Sequence, residues 1–164
     1  MHGVALLATG LLAGSFGYGA ANLVPTFDAV PQDMRFAFHA ELMKVNGITV
    51  QGAMVVSTLG SLALAVLSRG RPRLAAAAAS LLAFASFLIT RFGNVPINGR
   101  IKQWAVSGPE PGTAELLSRW ELFNIARTLC GIAAFVVLIA LALRGDTSRA
   151  PRVPSGARES VVGR

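Results

Sequence analysis

SRWELFNIARTLCGIAAFVVLIALALR, residues 118–144, holds sixteen consecutive uncharged residues at 128–143. A helix crossing a hydrocarbon core needs about 20 apolar residues, so this run is too short to span alone. To cross, the helix must start further upstream and take in Asn124 and Arg127. That places Arg127 below the membrane surface, where an unpaired guanidinium costs on the order of 3 kcal/mol or more. At helical spacing Trp120, Asn124, Arg127 and Gly131 fall on one stripe. The stripe is therefore expected to face other protein, with Arg127 hydrogen-bonded there. The competing reading is an arginine snorkelling to the lipid headgroups.

The rest of the chain repeats the pattern. Mean hydropathy is +0.56, and the apolar residues come in four long blocks rather than in an amphipathic period. This predicts an all-α, four-transmembrane-helix bundle over residues 1–143, followed by a basic, disordered cytoplasmic tail at 144–164. The net charge of +7 does not point to nucleic acid, because the excess is localised. Arg69, Arg71 and Arg73 crowd one short connection, and five further arginines lie from Arg144 onward. Such placement reads as a positive-inside bias, with both termini in the cytoplasm and the protein in the cytoplasmic membrane. The tail arginines are suited to anionic lipid headgroups, so membrane lipids are expected partners. Cys130 is the one cysteine, which excludes a disulfide or CxxC chemistry within a single chain.

In chain order, the first block covers residues 4–24. Gly19-Ala20-Ala21 resembles a signal-peptide cleavage site, but the block lacks a preceding Lys or Arg and is long, so a retained span is expected. Gly10, Gly14, Gly17 and Ala21 share a face on which a neighbouring helix is expected to pack closely. Residues 22–33, NLVPTFDAVPQD, read as a short connection bracketed by Pro25 and Pro31. Arg35, His39, Met43 and Asn46 then form a second polar stripe entering the block 48–67, while Glu41 and Lys44 form a solvated pair. Asn46-Gly47 offers a site for a kink. The third block, 74–90, ends at Arg91, and Pro96 with Asn98-Gly99 is expected to make an ordered turn. Thr113 and Ser118 are the candidate caps for the fourth helix.

With four spans, the ends of helices one and three meet the starts of helices two and four. Tyr18, Asn22, Arg35, His39, Asn46, Arg91, Asn94, Asn98, Trp120, Asn124 and Arg127 all belong to that end. The other half is mostly Ala, Leu, Val and Ile. Polar groups in a bilayer are costly unless paired, so the asymmetry predicts a pocket. Each residue also has a plainer reading. His39 fits an interfacial histidine, Arg91 a snorkelling anchor, Trp104 and Trp120 an aromatic belt, and the asparagines inter-helix bonds worth about 1 kcal/mol or less. With two histidines far apart, no His-rich metal site is expected; single-histidine haem ligation stays open.

FHAELMKVNG at 38–47, NVPIN at 94–98 and RWELFNIAR at 119–127, set in four apolar spans, resemble the anthrone-oxygenase-like family of small membrane proteins. The likeness covers about residues 3 to 143. It implies oxidation of an anthrone-like polycyclic aromatic or polyketide substrate, a hydrophobic aromatic small molecule, with no metal or flavin required. An anthrone has an acidic C–H whose removal leaves an electron-rich anion able to react with dioxygen. On that chemistry His39 is the expected base, and Arg127 and Arg91, with Asn94 and Asn124, the groups that stabilise the anion. Trp120 and Tyr18 would wall the rings, and Asn22, Asn46 and Asn98 complete the candidate binding residues. A small four-helix transporter and a non-catalytic membrane subunit are the alternatives, and the oligomeric state is left open.

Overall fold

A computed structural model describes residues 2–147, and every secondary-structure element among them is a helix. Helix α1 (His2–Tyr18) runs through a π-turn (Gly19–Leu23) into α2 (Val24–Ala29). Helix α3 (Gln32–Leu67) is unbroken. Helix α4 (Arg71–Ile89) passes through a second π-turn (Thr90–Asn94) into α5 (Val95–Ser107), and α6 (Thr113–Thr147) closes the chain. These make four rods, His2–Ala29, Gln32–Leu67, Arg71–Ser107 and Thr113–Arg144, each long and apolar enough to cross a membrane. The protein is an all-α four-helix bundle of the integral-membrane kind. Residues 148–164, most of the expected basic tail, lie outside the described residues, and α6 carries the helical domain a few residues past 143.

Connections are short, so neighbouring rods are antiparallel. Gly70 takes φ +65° between α3 and α4, a conformation costly for any residue with a Cβ, and Pro72 opens α4 where its missing N–H is harmless. Gly108 and Gly112 do the same between α5 and α6. α1 packs on α3 and α6, and α4 packs on the same two from the opposite side, which closes the ring.

Three features depart from the reading of the sequence. The segment around Pro96 is a helix rather than an ordered turn, and most of residues 22–33 is helical too. A proline lacks an N–H and its ring clashes with the carbonyl four residues earlier in a regular α-helix. Both π-turns end just before such a proline, with Val24 N–H bonding Gly19 O and Val95 N–H bonding Thr90 O. The widened turn accommodates Pro25 and Pro96 while the rod continues. Second, the α1 face turned inward is Ala5, Thr9, Leu12, Ala13 and Phe16. Gly14 and Gly17 have nothing within 4 Å of a built Cβ, and only Gly10 of the glycine face meets a neighbour, Phe135. The bulkier apolar residues fill the interior, and the glycine stripe is left to the outside. Third, Thr113 caps nothing: its hydroxyl bonds back to the Glu110 backbone. The Glu41–Lys44 pair forms as expected.

The interior changes character along the bundle. At the end of the Arg69–Arg73 turn it is small and aliphatic, built from Ala5, Leu64, Ala65, Ala76, Ala79 and Leu138. One hydroxyl pair crosses there, Thr9 with Ser57 at 2.6 Å. At the other end it is aromatic, with Phe27, Phe36, Trp104 and Trp120 among Ile97, Ile101 and Leu117. Helix α3, with 36 residues, is about 54 Å long at 1.5 Å per residue. A hydrocarbon core is only about 30 Å thick, so the rods extend well past it. Leu7, Leu81, Leu129 and Val136 are exposed apolar side chains on the outside, suited to lipid tails.

Candidate functional site

The stripe on α6 faces inward as its spacing required. Trp120 and Asn124 are buried, and Gly131 lies against Phe16. Arg127 does not snorkel outward. Its Nε and Nη2 both donate to Asn124 Oδ1, at 3.0 and 2.6 Å, and its Cζ stands 4.6 Å from the centre of the Phe16 ring. Its backbone carbonyl accepts from Ser86 Oγ at 2.9 Å. Arg35, Lys44 and Arg100 make ion pairs with carboxylates; among the described residues no carboxylate pairs with Arg127. A mostly buried guanidinium held by one amide and one aromatic face keeps its charge available to something else.

The stripe on α3 meets α5 and α6 through Asn98. Trp120 Nε1 donates to Asn98 Oδ1 at 2.8 Å, and His39 Nε2 lies 3.1 Å from the same oxygen. An amide oxygen only accepts, so His39 carries a proton on Nε2 in this arrangement. Asn98 Nδ2 points to Met43 Sδ at 3.3 Å. The imidazole is packed by Phe27 and Trp120, with ring centres 5.4 and 5.0 Å away, and is 1% exposed. Nearby, Arg35 is bound by Asp28 and Glu121, a network from α2, α3 and α6 that clamps the aromatic end shut.

Between α1, α3, the second π-turn and α6 lies a cavity of about 390 Å³, within the roughly 300–1,000 Å³ range of small-molecule sites. Phe16, Leu12, Leu23, Leu42, Val50 and Val95 supply apolar wall, and Tyr18 and Trp120 supply aromatic wall. Asn46, Asn94, Asn98 and Arg127 supply the polar groups the sequence pointed to, joined by Thr90 and Gln51, which it did not single out. Both π-turns contribute: Gly19 and Leu23 from one, Thr90 and Asn94 from the other. Leu11, Ser15, Tyr18 and Thr49 are exposed residues of the lining, so the cavity reaches the surface between α1 and α3.

Four of the expected site residues lie elsewhere. His39 sits behind Asn98 and Trp120 and does not line the cavity. Asn124 is also one bond back, holding Arg127. Asn22 is exposed, its Nδ2 bonded to Tyr18 O at 3.4 Å. Arg91 is exposed and outside the lining. Phe16, which covers Arg127, was readable from its spacing with Thr9, Leu12 and Ala13. Among the described residues no three His, Cys, Asp or Glu side chains gather as a metal-binding group.

The three segments that meet here, 38–47, 94–98 and 119–127, fall almost entirely within one known likeness. A family model described as Anthrone oxygenase matches residues 39–137. No curated protein and no solved structure matches the chain.

Proposed function

Because this chain belongs to the anthrone oxygenase family, we propose that it oxidises an anthrone-like polycyclic aromatic with dioxygen, from within the cytoplasmic membrane. The observation that carries this reading is Arg127, an uncompensated cation in the wall of an otherwise largely apolar cavity. A flat ketone loses a proton from its benzylic CH2, and the charge passes to the carbonyl oxygen. A guanidinium at that oxygen, in a site shielded from water, stabilises the anion more than the neutral ketone and so favours its formation. The anion gives up an electron pair to dioxygen as a C–O bond forms. The peroxide anion takes back the proton removed in the first step, and the hydroperoxide then loses water together with the remaining hydrogen on that carbon, leaving a quinone. One oxygen atom ends in the product and one in water, so one dioxygen is consumed per substrate.

His39 is the proposed acceptor of the substrate's proton. Its Nε2–H is given to Asn98 Oδ1, and Asn98 lines the cavity, so this role requires Asn98 to turn aside and the imidazole to carry its proton on Nδ1, which frees the Nε2 lone pair. The mouth between α1 and α3 lies among residues facing lipid, which suits entry of an apolar substrate from the bilayer. In the same reading both termini and the Arg69–Arg73 turn are cytoplasmic.

The test is oxygen uptake by the purified protein in lipid nanodiscs with anthrone. Expected is one dioxygen consumed per anthraquinone formed, with one labelled oxygen atom in the quinone when labelled dioxygen is supplied. Replacing His39 by Gln removes the base and keeps much of the hydrogen bonding; that variant should bind anthrone and turn it over about a hundredfold more slowly. Full turnover by His39→Gln ends the base assignment. Anthrone flux into protein-containing vesicles without oxidation would favour a transporter instead.

A further inference from the structure

Among the described residues Met43 is the one sulfur-bearing side chain of the cavity lining. It belongs to the α3 stripe with His39 and Asn46, and it is half-buried rather than sealed in a core cluster. Its Sδ receives an N–H from Asn98 Nδ2 at 3.3 Å, and Asn98 is itself a lining residue. The sulfur therefore bridges two residues of the wall. A thioether is a weak acceptor with two lone pairs, so a single amide hydrogen leaves it nucleophilic. The other described sulfurs stand apart from the cavity. Met34 is 56% exposed, Met54 is buried against Leu12 and Phe16, Cys130 is half-buried, and none of the three lines it.

Resting on the oxygenase reading of this cavity, we infer that Met43 is an oxidation site: its Sδ takes the outer oxygen of the substrate hydroperoxide, and the sulfoxide formed slows further turnover. In this step the O–O bond breaks and an S–O bond forms. The proton of the outer oxygen passes to the oxygen left on the ring carbon. Sulfur is oxidised by two electrons and the hydroperoxide is reduced to a ring alcohol, so no other reactant is consumed. The step competes with the loss of water that yields the quinone. Its effect falls on Asn98. A sulfoxide is polar and its oxygen accepts a hydrogen bond far more strongly than a thioether does. It holds the Asn98 amide, which must turn aside for His39 to act. Hydroperoxide that is slow to lose water thus brakes its own formation.

The experiment follows anthrone turnover by the protein in nanodiscs under labelled dioxygen, with catalase present to remove free hydrogen peroxide. Peptide masses are read as the rate declines. Met43 is expected to gain one labelled oxygen atom, at an occupancy at least about tenfold above that of the exposed Met34. Met43→Leu keeps the apolar bulk and has no sulfur to oxidise. It should complete about threefold more turnovers than wild type before its rate halves. Turnover with no label on Met43 overturns the inference and leaves the oxygenase reading standing. Equal labelling of Met34 and Met43 points to an oxidant loose in solution and overturns it too. A labelled Met43 with Met43→Leu slowing as early as wild type overturns the brake. If wild type turns over no anthrone, the oxygenase reading fails and this one with it. The labelling of wild type decides the site even where the variant does not fold.

Discussion

Arg127 and Gly93 show how single residues hold the site. Arg127 is buried against Phe16 and Asn124 with no carboxylate at hand among the described residues, so its charge is a standing cost that the proposed substrate anion would offset. Gly93 matters for shape. A Cβ there would lie 2.7–2.9 Å from ring atoms of Phe123, and the ring or the π-turn must shift to admit it. Gly93→Ala should destabilise the protein by about 1–3 kcal/mol, the usual cost of overpacking. Gly14→Ala, with open space around it, should leave the melting temperature in detergent unchanged. Equal melting of the two variants would contradict this packing.

At the scale of elements, the π-turns decide which residues reach the cavity. Each widens one rod just before a proline, and each contributes lining residues. Pro96→Ala restores an N–H and removes the ring that would clash with the Phe92 carbonyl in a regular α-helix, so the turn can tighten and rotate Asn94 and Asn98 off their partners. Turnover should fall about tenfold or more with helical circular dichroism intact, since small misplacements of a positioned group are costly in rate. Wild-type turnover in Pro96→Ala would show that the widened turn is not needed. These turns also explain what the sequence left unread. The Trp120–Asn124–Arg127–Gly131 and Arg35–His39–Met43–Asn46 stripes lie on regular helix and could be counted at 100° per residue. Asn22 and Arg91 lie inside π-turns and are exposed; their place at the polar end could be read, but the direction they face depends on the widened turn, which the sequence did not reveal. Pro25 and Pro96 read as breaks for the same reason. On α1, glycine spacing pointed to one face, while the Thr9, Leu12 and Phe16 spacing marked the face actually buried.

Taken whole, the molecule is a membrane bundle with an aliphatic half and a half that holds an aromatic clamp and a cavity. The four blocks and their arginine-rich connection made the bundle legible; the cavity's depth was not, because His39 and Asn124 share the right end yet stand one bond behind its wall. In the proposed topology the Arg69–Arg73 turn is cytoplasmic. A cysteine placed at position 71, on a Cys130→Ser background, should react with a membrane-impermeant thiol reagent only after the cells are opened. Labelling of intact cells would reverse the orientation. The central claim is that a lone guanidinium in an apolar cavity stabilises the substrate's anion. Its most direct test is anthrone turnover by Arg127→Ala and Arg127→Lys, with Arg73→Ala as an exposed control and the amount of folded protein equalised. The account predicts that kcat falls about a hundredfold or more for Arg127→Ala. Arg127→Lys should also be impaired, because lysine lacks the fork that grips Asn124 while facing the cavity, and Arg73→Ala should match wild type. Undiminished turnover in Arg127→Ala would contradict it.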